Sequence, residues 1–343
     1  MNDQGQIIVR VHCGWKGETT LLRQTPNKDG VWENVRFVID GINDNGSPLE
    51  ECDFFLVYNR VLREITVRCP KGNKWSLAGE PPINVNKFME KTYHEYDKIL
   101  TQHPKNLIKD HVHTQGGAPW FIKKSYTELL SLTDNSAHKK DAVSCVTSNL
   151  TWKPGHADRL ALLDSLKELG MEVEVFGRGI RPMPNDDKFE ILYPYKYSIA
   201  IENSYYDDYW TEKIADCFLS WTMPIYAGAP NITDYFPKES MIIINPKKPK
   251  EARRIIQEAI KNKAWEKGRD AIQEARELIL KEYQFFPLIT NHIKQHIAAG
   301  KAGTTKEEAT LSYVSAPWDE GYTPSFYRKV EYQIRKFLDI KPY

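Results

Sequence analysis

The first part of the chain alternates short apolar runs with polar turns. The runs are "QIIVRV", "VRFVID", "DFFLVY", "KWSLAG" and "YDKILTQ". Short apolar runs bounded by turn residues are typical of buried strands. They predict an open sheet, with a helix at "NVNKFMEKTY".

Strand and helix patterns alternate more sharply after the polar stretch "SLTDNSAHKKD" at 131–141. The strands "AVSCVTS" and "MEVEVFG" flank the helix "HADRLALLDSLKELG", which Gly170 closes. The strands "YKYSIAI" and "MPIYAG" flank the helix "TEKIADCFLSW", which carries Ile214, Cys217 and Phe218 on one face. Residues 250–283 are predicted to be helical. This alternation is typical of a doubly wound α/β domain.

The pattern predicts two α/β domains, at 1–138 and 139–300, and a tail at 301–343 with an amphipathic helix. Apolar residues within 326–338 recur at helical spacing beside four basic residues. Two interpretations of this helix stay open. It packs back onto the first domain, or it makes peripheral contact with an anionic membrane surface.

Composition narrows the choice of partners. The 343 residues include 47 Lys and Arg against 46 Asp and Glu, so no global field favours nucleic acid. The five cysteines are scattered and odd in number, which argues against a disulfide framework and a zinc site. The start "MNDQGQIIVRVHCGW" lacks the pattern of an export signal, so we expect a cytoplasmic protein. The "HVH" at 111–113 has no third ligand at a recognisable spacing, and no metal site is predicted.

Polar residues follow the apolar strand "YKYSIAI" directly, at Glu202 and Asn203. Ligands of parallel sheets bind beyond the carboxyl ends of the strands, so we expect both side chains to point toward a cleft. Nine residues on, Thr211, Glu212 and Lys213 open a helix, where free N–H groups, a carboxylate and an ammonium group meet. Such a site suits a nucleoside diphosphate, with Lys213 on the phosphates and Glu212 on the ribose diol.

The stretch "YKYSIAIENSYYDDYWTEKIADCFLSWTMPIYAGAPNITDYFPKESMIIIN" resembles the donor-binding signature of the α-1,3-fucosyltransferases. Trp210 stands where that family usually has Val. In the first half, "WSLAGEPPINVNKF" is similar to the family's acceptor-side segment. The resemblance implies a GT-B fold, in which two Rossmann-like domains face each other across a cleft. Residues 1–138 would bind the acceptor and residues 139–300 the nucleotide sugar.

The resemblance also implies a reaction. L-fucose would pass from GDP-fucose, with inversion, to a hydroxyl of an N-acetylglucosamine or glucose unit in an acceptor such as N-acetyllactosamine. The residues themselves predict that no metal cofactor is needed, because the sequence has no Asp-x-Asp and the cations Arg159 and Lys213 could neutralise the leaving GDP. The family's base falls on Glu80 and its diphosphate-binding arginine on Arg159. Its donor contacts fall on Asn203, Tyr209, Glu212 and Lys213. Gly228, in the following loop, would let the backbone approach the donor. We expect a bacterial enzyme.

The residues alone leave alternatives open. Glu80 can be a solvated loop carboxylate, Arg159 can pair with Asp158 or Glu168, and Glu212 with Lys213 can be a capping turn. Aromatic residues 205, 206 and 210 can stack on a ligand or simply pack. Two other functions remain for the whole chain. It can transfer a different nucleotide sugar, or it can bind a nucleotide or glycan without turnover.

Overall fold

The computed structural model of the protein describes residues 5–14, 18–39, 49–117, 120–134, 136–149 and 154–316. These residues form two compact units. The first unit contains the described residues up to 117, together with 124–132 and 280–316. The second unit contains 120–123 and the described residues of 133–279. The amphipathic helix predicted at 326–338 lies outside the described residues.

The strands are β1 (Ile7–Cys13), β2 (Val31–Trp32), β3 (Val35–Ile39), β4 (Phe54–Tyr58), β5 (Ile65–Pro70), β6 (Lys74–Leu77), β7 (Lys98–Thr101), β8 (His111–His113), β9 (Lys140–Val146), β10 (Glu174–Phe176), β11 (Tyr195–Ile201), β12 (Met223–Ala227), β13 (Ile242–Ile243) and β14 (Lys306–Leu311). The α-helices are α1 (Glu18–Leu22), α2 (Tyr126–Ser131), α3 (Pro154–Glu168), α4 (Phe189–Leu192), α5 (Glu212–Leu219), α6 (Pro249–Lys261), α7 (Ala264–Lys267), α8 (Arg269–Leu278) and α9 (Phe285–Ala298). Segments of 3₁₀ helix occupy Asn84–Glu95, Ser136–His138, Pro184–Asp186, Ile232–Asp234 and Lys238–Ser240, and a π-helical turn occupies Ile279–Tyr283.

The first unit is built on a seven-stranded sheet with the order β2-β3-β1-β4-β6-β7-β8. All neighbours are parallel except β2 and β3. Every residue of β4 is buried, as a continuous apolar run predicts for a parallel strand covered on both faces. The apolar runs predicted as strands in this half therefore form the sheet.

The position of helix α9 shows that the predicted domain boundary at residue 300 was wrong. The sequence boundary placed residues up to 300 in the second domain, yet 280–316 belong to the first unit. Phe285, Ile289 and Ile293 lie on one helical stripe and join the same apolar core as Val9 and Leu56 of the sheet. Residues 301–316 are not a separate tail either, because β14 within them pairs antiparallel with β5.

The second unit has a parallel five-stranded sheet with the order β10-β9-β11-β12-β13. The central strand β11 is buried along its whole length. Helix α3 connects β9 to β10, which confirms the predicted βαβ unit. Gly170 follows α3 with a φ of +72°, the left-handed conformation that commonly ends a helix.

The helix predicted over 250–283 is broken into shorter pieces. Lys263 adopts a left-handed φ of 54° between α6 and α7. Gly268 separates α7 from α8, and a Cβ at this position would overlap the backbone oxygen of Glu239. The predicted α/β fold class is confirmed in both units. None of the helices in the described part of the chain is long and apolar enough to cross a membrane.

Candidate active site

The carboxyl end of β11 positions Glu202, whose side chain is fully buried. The backbone amide of Glu202 donates to the carbonyl of Ala227, at the end of the neighbouring strand β12, at 2.8 Å. Its carboxylate accepts from the amide of Thr211 at 2.8 Å and from the Thr211 hydroxyl at 2.7 Å. The prediction that Glu202 points toward an open cleft was wrong. Glu202 instead fixes the residue that caps α5.

The start of α5 brings Lys213 between two carboxylates. Thr211 caps the helix, and its hydroxyl accepts from the amide of Lys213 at 3.4 Å. The ammonium Nζ of Lys213 lies 3.2 Å from Glu202 Oε2 and 3.3 Å from Glu212 Oε1. It also donates to the Thr211 hydroxyl at 3.0 Å. The residues that form the capping turn of α5 are therefore the same residues that were predicted to bind the donor.

Lys188, which the sequence analysis missed, joins this cluster from the start of α4. Its Nζ lies 3.0 Å from Asp216 Oδ2 and 3.7 Å from Glu212 Oε1. The sequence did indicate that a cation is needed here. Asp216 lies on α5 next to Cys217 in a helix whose inner positions are apolar, and a buried carboxylate in such a place needs a cation.

Burial and charge act in opposite directions on these groups. Burial raises the pKa of the Glu202 and Asp216 carboxyls above the usual range, although each faces a lysine. Burial also acts to raise the pKa of Glu212, but Lys213 and Lys188 outweigh it and lower that pKa to about 2. For the two lysines, burial acts downward and the neighbouring carboxylates raise the pKa overall. At neutral pH, Glu212 is ionised and both lysines are protonated.

Arg159 approaches the same strand end from α3 and is 5% exposed. One guanidinium nitrogen donates to the carbonyl of Ile201 at 3.4 Å. The close approach depends on Gly155, whose amide donates to Asn203 O at 3.1 Å. A Cβ at 155 would lie 2.8 Å from Asn203 Cα and would overlap Glu202 O. Burial lowers the pKa of the Arg159 guanidinium, against the effect of nearby acidic groups that include Glu202 and Glu212.

Several buried polar atoms at this strand end lack hydrogen-bond partners among the described residues. They are Nε of Arg159, Oδ1 of Asn203 and Oγ of Ser204. A buried polar atom without a partner costs free energy, so such atoms are rare and need an explanation. A polar ligand that accepts from Arg159 and donates to Asn203 would satisfy them.

Gly228 lies directly beside Glu202. A Cβ at this position would lie 2.5 Å from Glu202 Cγ and would overlap the hydroxyl of Tyr226, which accepts from the amide of Ala229 at 2.9 Å. The position therefore requires glycine. Gly228 also lines an open pocket of about 360 Å³ at the carboxyl ends of β12 and β13, with Tyr205 and Lys247 among the other lining residues.

The aromatic residues near the site divide into two groups. Trp210 is 1% exposed and packs edge to face on Phe236, with ring centroids 4.9 Å apart, so it is a packing residue. Tyr209 is also buried. Tyr205 lines the pocket, and its hydroxyl donates to Asp158 Oδ2 at 3.0 Å.

Glu80 lies in the first unit, after the end of β6, and is half-buried. The loop before it is held tightly. The amide of Gly79 donates to Asn59 Oδ1 at 2.7 Å, and a Cβ at 79 would lie 2.7 Å from the ring of Tyr58. The other predicted site residues lie in the second unit, so the role of Glu80 as a base stays a prediction.

All five cysteines are buried free thiols. In the described ranges, no group of three or more His, Cys, Asp or Glu side chains is arranged to hold a metal ion. The rings of His111 and His113 are 4.5 Å apart, and His113 Nε2 bonds Asn106 Oδ1 at 3.0 Å. Metal independence of the reaction stays a prediction.

The segment that builds this cluster matches a known family. Residues 136–265 match the model described as "Glycosyltransferase family 10 (fucosyltransferase) C-term". The resemblance to the α-1,3-fucosyltransferase family is confirmed. Residues 136–265 thus match a glycosyltransferase family, and Arg159, Glu202, Glu212, Lys213 and Gly228 all lie within the matched segment.

Two human relatives illustrate the similarity. Over 202 residues, the chain is 31% identical to the 3-galactosyl-N-acetylglucosaminide 4-alpha-L-fucosyltransferase of Homo sapiens, covering 57% of this chain and 52% of the relative. Over 150 residues, it is 31% identical to a 4-galactosyl-N-acetylglucosaminide 3-alpha-L-fucosyltransferase of Homo sapiens, covering 43% and 38%. The chain spans about half or less of the length of these curated relatives.

A solved structure supports the fold. An alpha-glucosyltransferase in complex with UDP and a 13-mer DNA is 9% identical and superposes with a TM-score of 0.52, over 86% of this chain and all of that one. At this identity the likeness concerns the fold alone. It agrees with the predicted GT-B class.

Proposed function

We propose that the protein transfers L-fucose from GDP-fucose to a hydroxyl of an N-acetylglucosamine or glucose unit, with inversion at the anomeric carbon. The observation that carries this proposal is the convergence of Arg159 and Lys213 at the end of β11, beside polar atoms that have no hydrogen-bond partner in the part of the chain that the structure describes. These two cations come from different helices, α3 and α5. They suit the two phosphates of a nucleoside diphosphate.

Inverting transfer requires a base for the acceptor hydroxyl and positive charge to stabilise the leaving diphosphate. The acceptor oxygen attacks the anomeric carbon as the bond to the phosphate oxygen breaks, and GDP leaves with the bonding electrons. Arg159 and Lys213 would stabilise the charge that grows on the diphosphate. A base must take the proton of the acceptor hydroxyl, and Glu80 is our candidate for it. The Glu212 carboxylate would accept hydrogen bonds from the ribose diol.

The names of the relatives support fucose as the sugar and a galactosyl-N-acetylglucosaminide as the acceptor. One relative is named for transfer to the 4-position and the other for transfer to the 3-position. Our proposal is an α-1,3-type linkage, and the linkage is to be read from the product by NMR. An acceptor such as N-acetyllactosamine is the first to test.

Calorimetric titration with GDP tests the donor site directly. We expect the native protein to bind GDP in EDTA, because the two cations supply the positive charge that the diphosphate needs. Glu212→Gln should weaken binding about tenfold or more, since it loses a charged hydrogen-bond acceptor. Glu258→Gln is the matched control. Its pair with Arg254, at 2.9 Å, is exposed to solvent and lies within α6, so GDP affinity should not change.

The contacts described here bear on phosphates and ribose rather than on the sugar ring, so a different nucleotide sugar is the second candidate. Turnover of GDP-fucose in competition with GDP-mannose separates the two. Absence of GDP binding by the native protein would refute both. Binding without turnover of either donor would favour a protein that binds nucleotides only.

A further inference from the structure

Lys188 is a cation of the cluster to which neither the sequence pattern nor the family resemblance gives a role. Its Nζ lies 3.0 Å from Asp216 Oδ2 and 3.7 Å from Glu212 Oε1, so it bridges two carboxylates of α5. We propose that Lys188 is a positioning residue for the donor, which together with Asp216 holds the Glu212 carboxylate where it binds the ribose. The inference rests on the proposed function of Glu212.

The bridge is needed because Glu212 and Asp216 are four residues apart. Side chains at this spacing lie on the same face of a helix, where two negative charges repel each other. Both are shielded from water, since Asp216 is 1% and Glu212 17% exposed. A cation placed between them removes the repulsion and fixes both carboxylates.

Asp216 is itself anchored, so the bridge is rigid. Asp216 Oδ1 accepts from the amide of Phe121 at 2.9 Å and from the amide of Ile122 at 3.4 Å, which leaves Oδ2 for Lys188. Lys188 Nζ also lies 5.2 Å from the centre of the Phe121 ring. The next residue back, Asp187, accepts from the amide of Lys123 at 2.9 Å. The segment 120–123 therefore holds Lys188 and Asp216 in place.

Lys213 cannot supply the same support when a donor is bound. Its Nζ is shared among Glu202, Glu212 and the Thr211 hydroxyl, and on our account it turns toward the diphosphate. Among the described residues, Lys188 is the other cation within 4 Å of Glu212. It would then keep Glu212 ionised and in position.

Removing Lys188 should change how Glu212 titrates. The charged groups that face Glu212 are Lys188 before α4, Lys213 and Asp216 on α5, Glu202 at the end of β11 and Arg159 on α3. Lys213 and Lys188 lower the pKa of Glu212 to about 2 against the effect of burial. Without Lys188 that pKa rises, because burial and Asp216 are then opposed by fewer cations.

The test measures the Kd for GDP at pH 5.5 and pH 8 in Lys188→Met. We expect binding about tenfold weaker at pH 5.5 and a smaller loss at pH 8, because a protonated Glu212 cannot accept both ribose hydrogen bonds. Lys188→Arg should restore affinity at both pH values. In a Glu212→Gln background, Lys188→Met should add nothing. A loss that is equal at both pH values and persists in that background would overturn the proposal. If Lys188→Met does not fold, Lys188→Gln replaces it.

A second readout does not depend on GDP. The loss of stability caused by Lys188→Met should be larger at pH 8 than at pH 4.5, because the ionised Glu212 then lacks its cation. Part of that pH dependence should vanish in the Glu212→Gln background. If the native protein does not bind GDP but the variants show this pH dependence of stability, the proposed function is refuted. Lys188 would then remain the residue that holds the Glu212 carboxylate in position. Identical pH profiles in the two backgrounds would refute the role of Lys188 itself.

Discussion

Replacing Lys213 by Met tests whether this lysine is the counter-charge of a buried carboxylate. Met is close to Lys in length and removes the ammonium group. Glu212 retains Lys188 at 3.7 Å. Glu202 is fully buried, and its carboxylate keeps only the two hydrogen bonds from Thr211 among the contacts described above. The substitution therefore leaves one buried negative charge uncompensated.

The size of the loss follows from the geometry. At 3.2 Å, the attraction between Lys213 Nζ and Glu202 Oε2 is about 5 kcal/mol if the effective dielectric constant is about 20. Part of this is offset because burying the ammonium group also costs free energy. Removing one partner of a buried ion pair costs about 3–5 kcal/mol. Since Thr211 still donates to Glu202, we expect a loss of about 3 kcal/mol in the free energy of unfolding at pH 7.5.

The loss should depend on pH, with a definite sign. Without Lys213, the pKa of the buried Glu202 rises further above its value in the unfolded chain. Between those two values, the folded variant binds more protons than the unfolded chain, so its stability falls as the pH rises. The loss caused by Lys213→Met should thus be larger at pH 8 than at pH 5.

Urea unfolding of the native protein and the variant, followed at several pH values, measures this loss. The control is Lys248→Met, which breaks an exposed pair with Glu251 and should cost about 0.5 kcal/mol or less. Adding Glu202→Gln to Lys213→Met should recover part of the stability, because the uncompensated charge is gone. A loss under about 1 kcal/mol at pH 7.5, or one that does not shrink toward pH 5, would refute the reasoning.

Three further predictions concern residues of different kinds. Glu80→Gln should abolish fucosyl transfer while the Kd for GDP stays at the native value, and measurable turnover would exclude Glu80 as the base. Gly228→Ala should lower the free energy of unfolding by about 1–3 kcal/mol and weaken GDP binding, because the new methyl group displaces Tyr226 or Glu202; unchanged urea unfolding would contradict the predicted clash. Trp210→Val should cost about 2–4 kcal/mol of stability through the cavity it leaves, and a selective loss of donor affinity with native stability would instead assign Trp210 to the donor site.

Much of the fold could be predicted because buried parallel strands have continuous apolar sequences. The runs at β4 and β11 are buried throughout. Helix α3, which connects β9 to β10, lies where the helical periodicity predicted it. The position of α9 could not be predicted in the same way. The stripe of Phe285, Ile289 and Ile293 shows that the helix must bury one face, but not which sheet it covers.

For the candidate site, the sequence predicted which residues lie together at the start of α5 better than it predicted which of them are buried. The residues of the α5 cap, Glu212 and Lys213, lie together as expected for a strand-loop-helix unit. The burial of Glu202 was not predicted. A carboxylate at the end of a strand can bind a ligand or pair with a lysine, here Lys213, and the sequence pattern does not distinguish the two. Lys188 was missed because its partners lie on α5, and only the folded chain brings them together.

The central claim is fucosyl transfer, and its most direct test is the release of GDP from GDP-fucose, with and without N-acetyllactosamine, in buffer containing EDTA. We predict release that depends on the acceptor and is undiminished by EDTA, with the Glu80→Gln protein inactive in the same assay. Release that requires added Mn²⁺ would contradict the metal-free roles of Arg159 and Lys213. The absence of acceptor-dependent release across N-acetylglucosamine and glucose acceptors, from a protein that still binds GDP, would contradict the claim of fucosyl transfer.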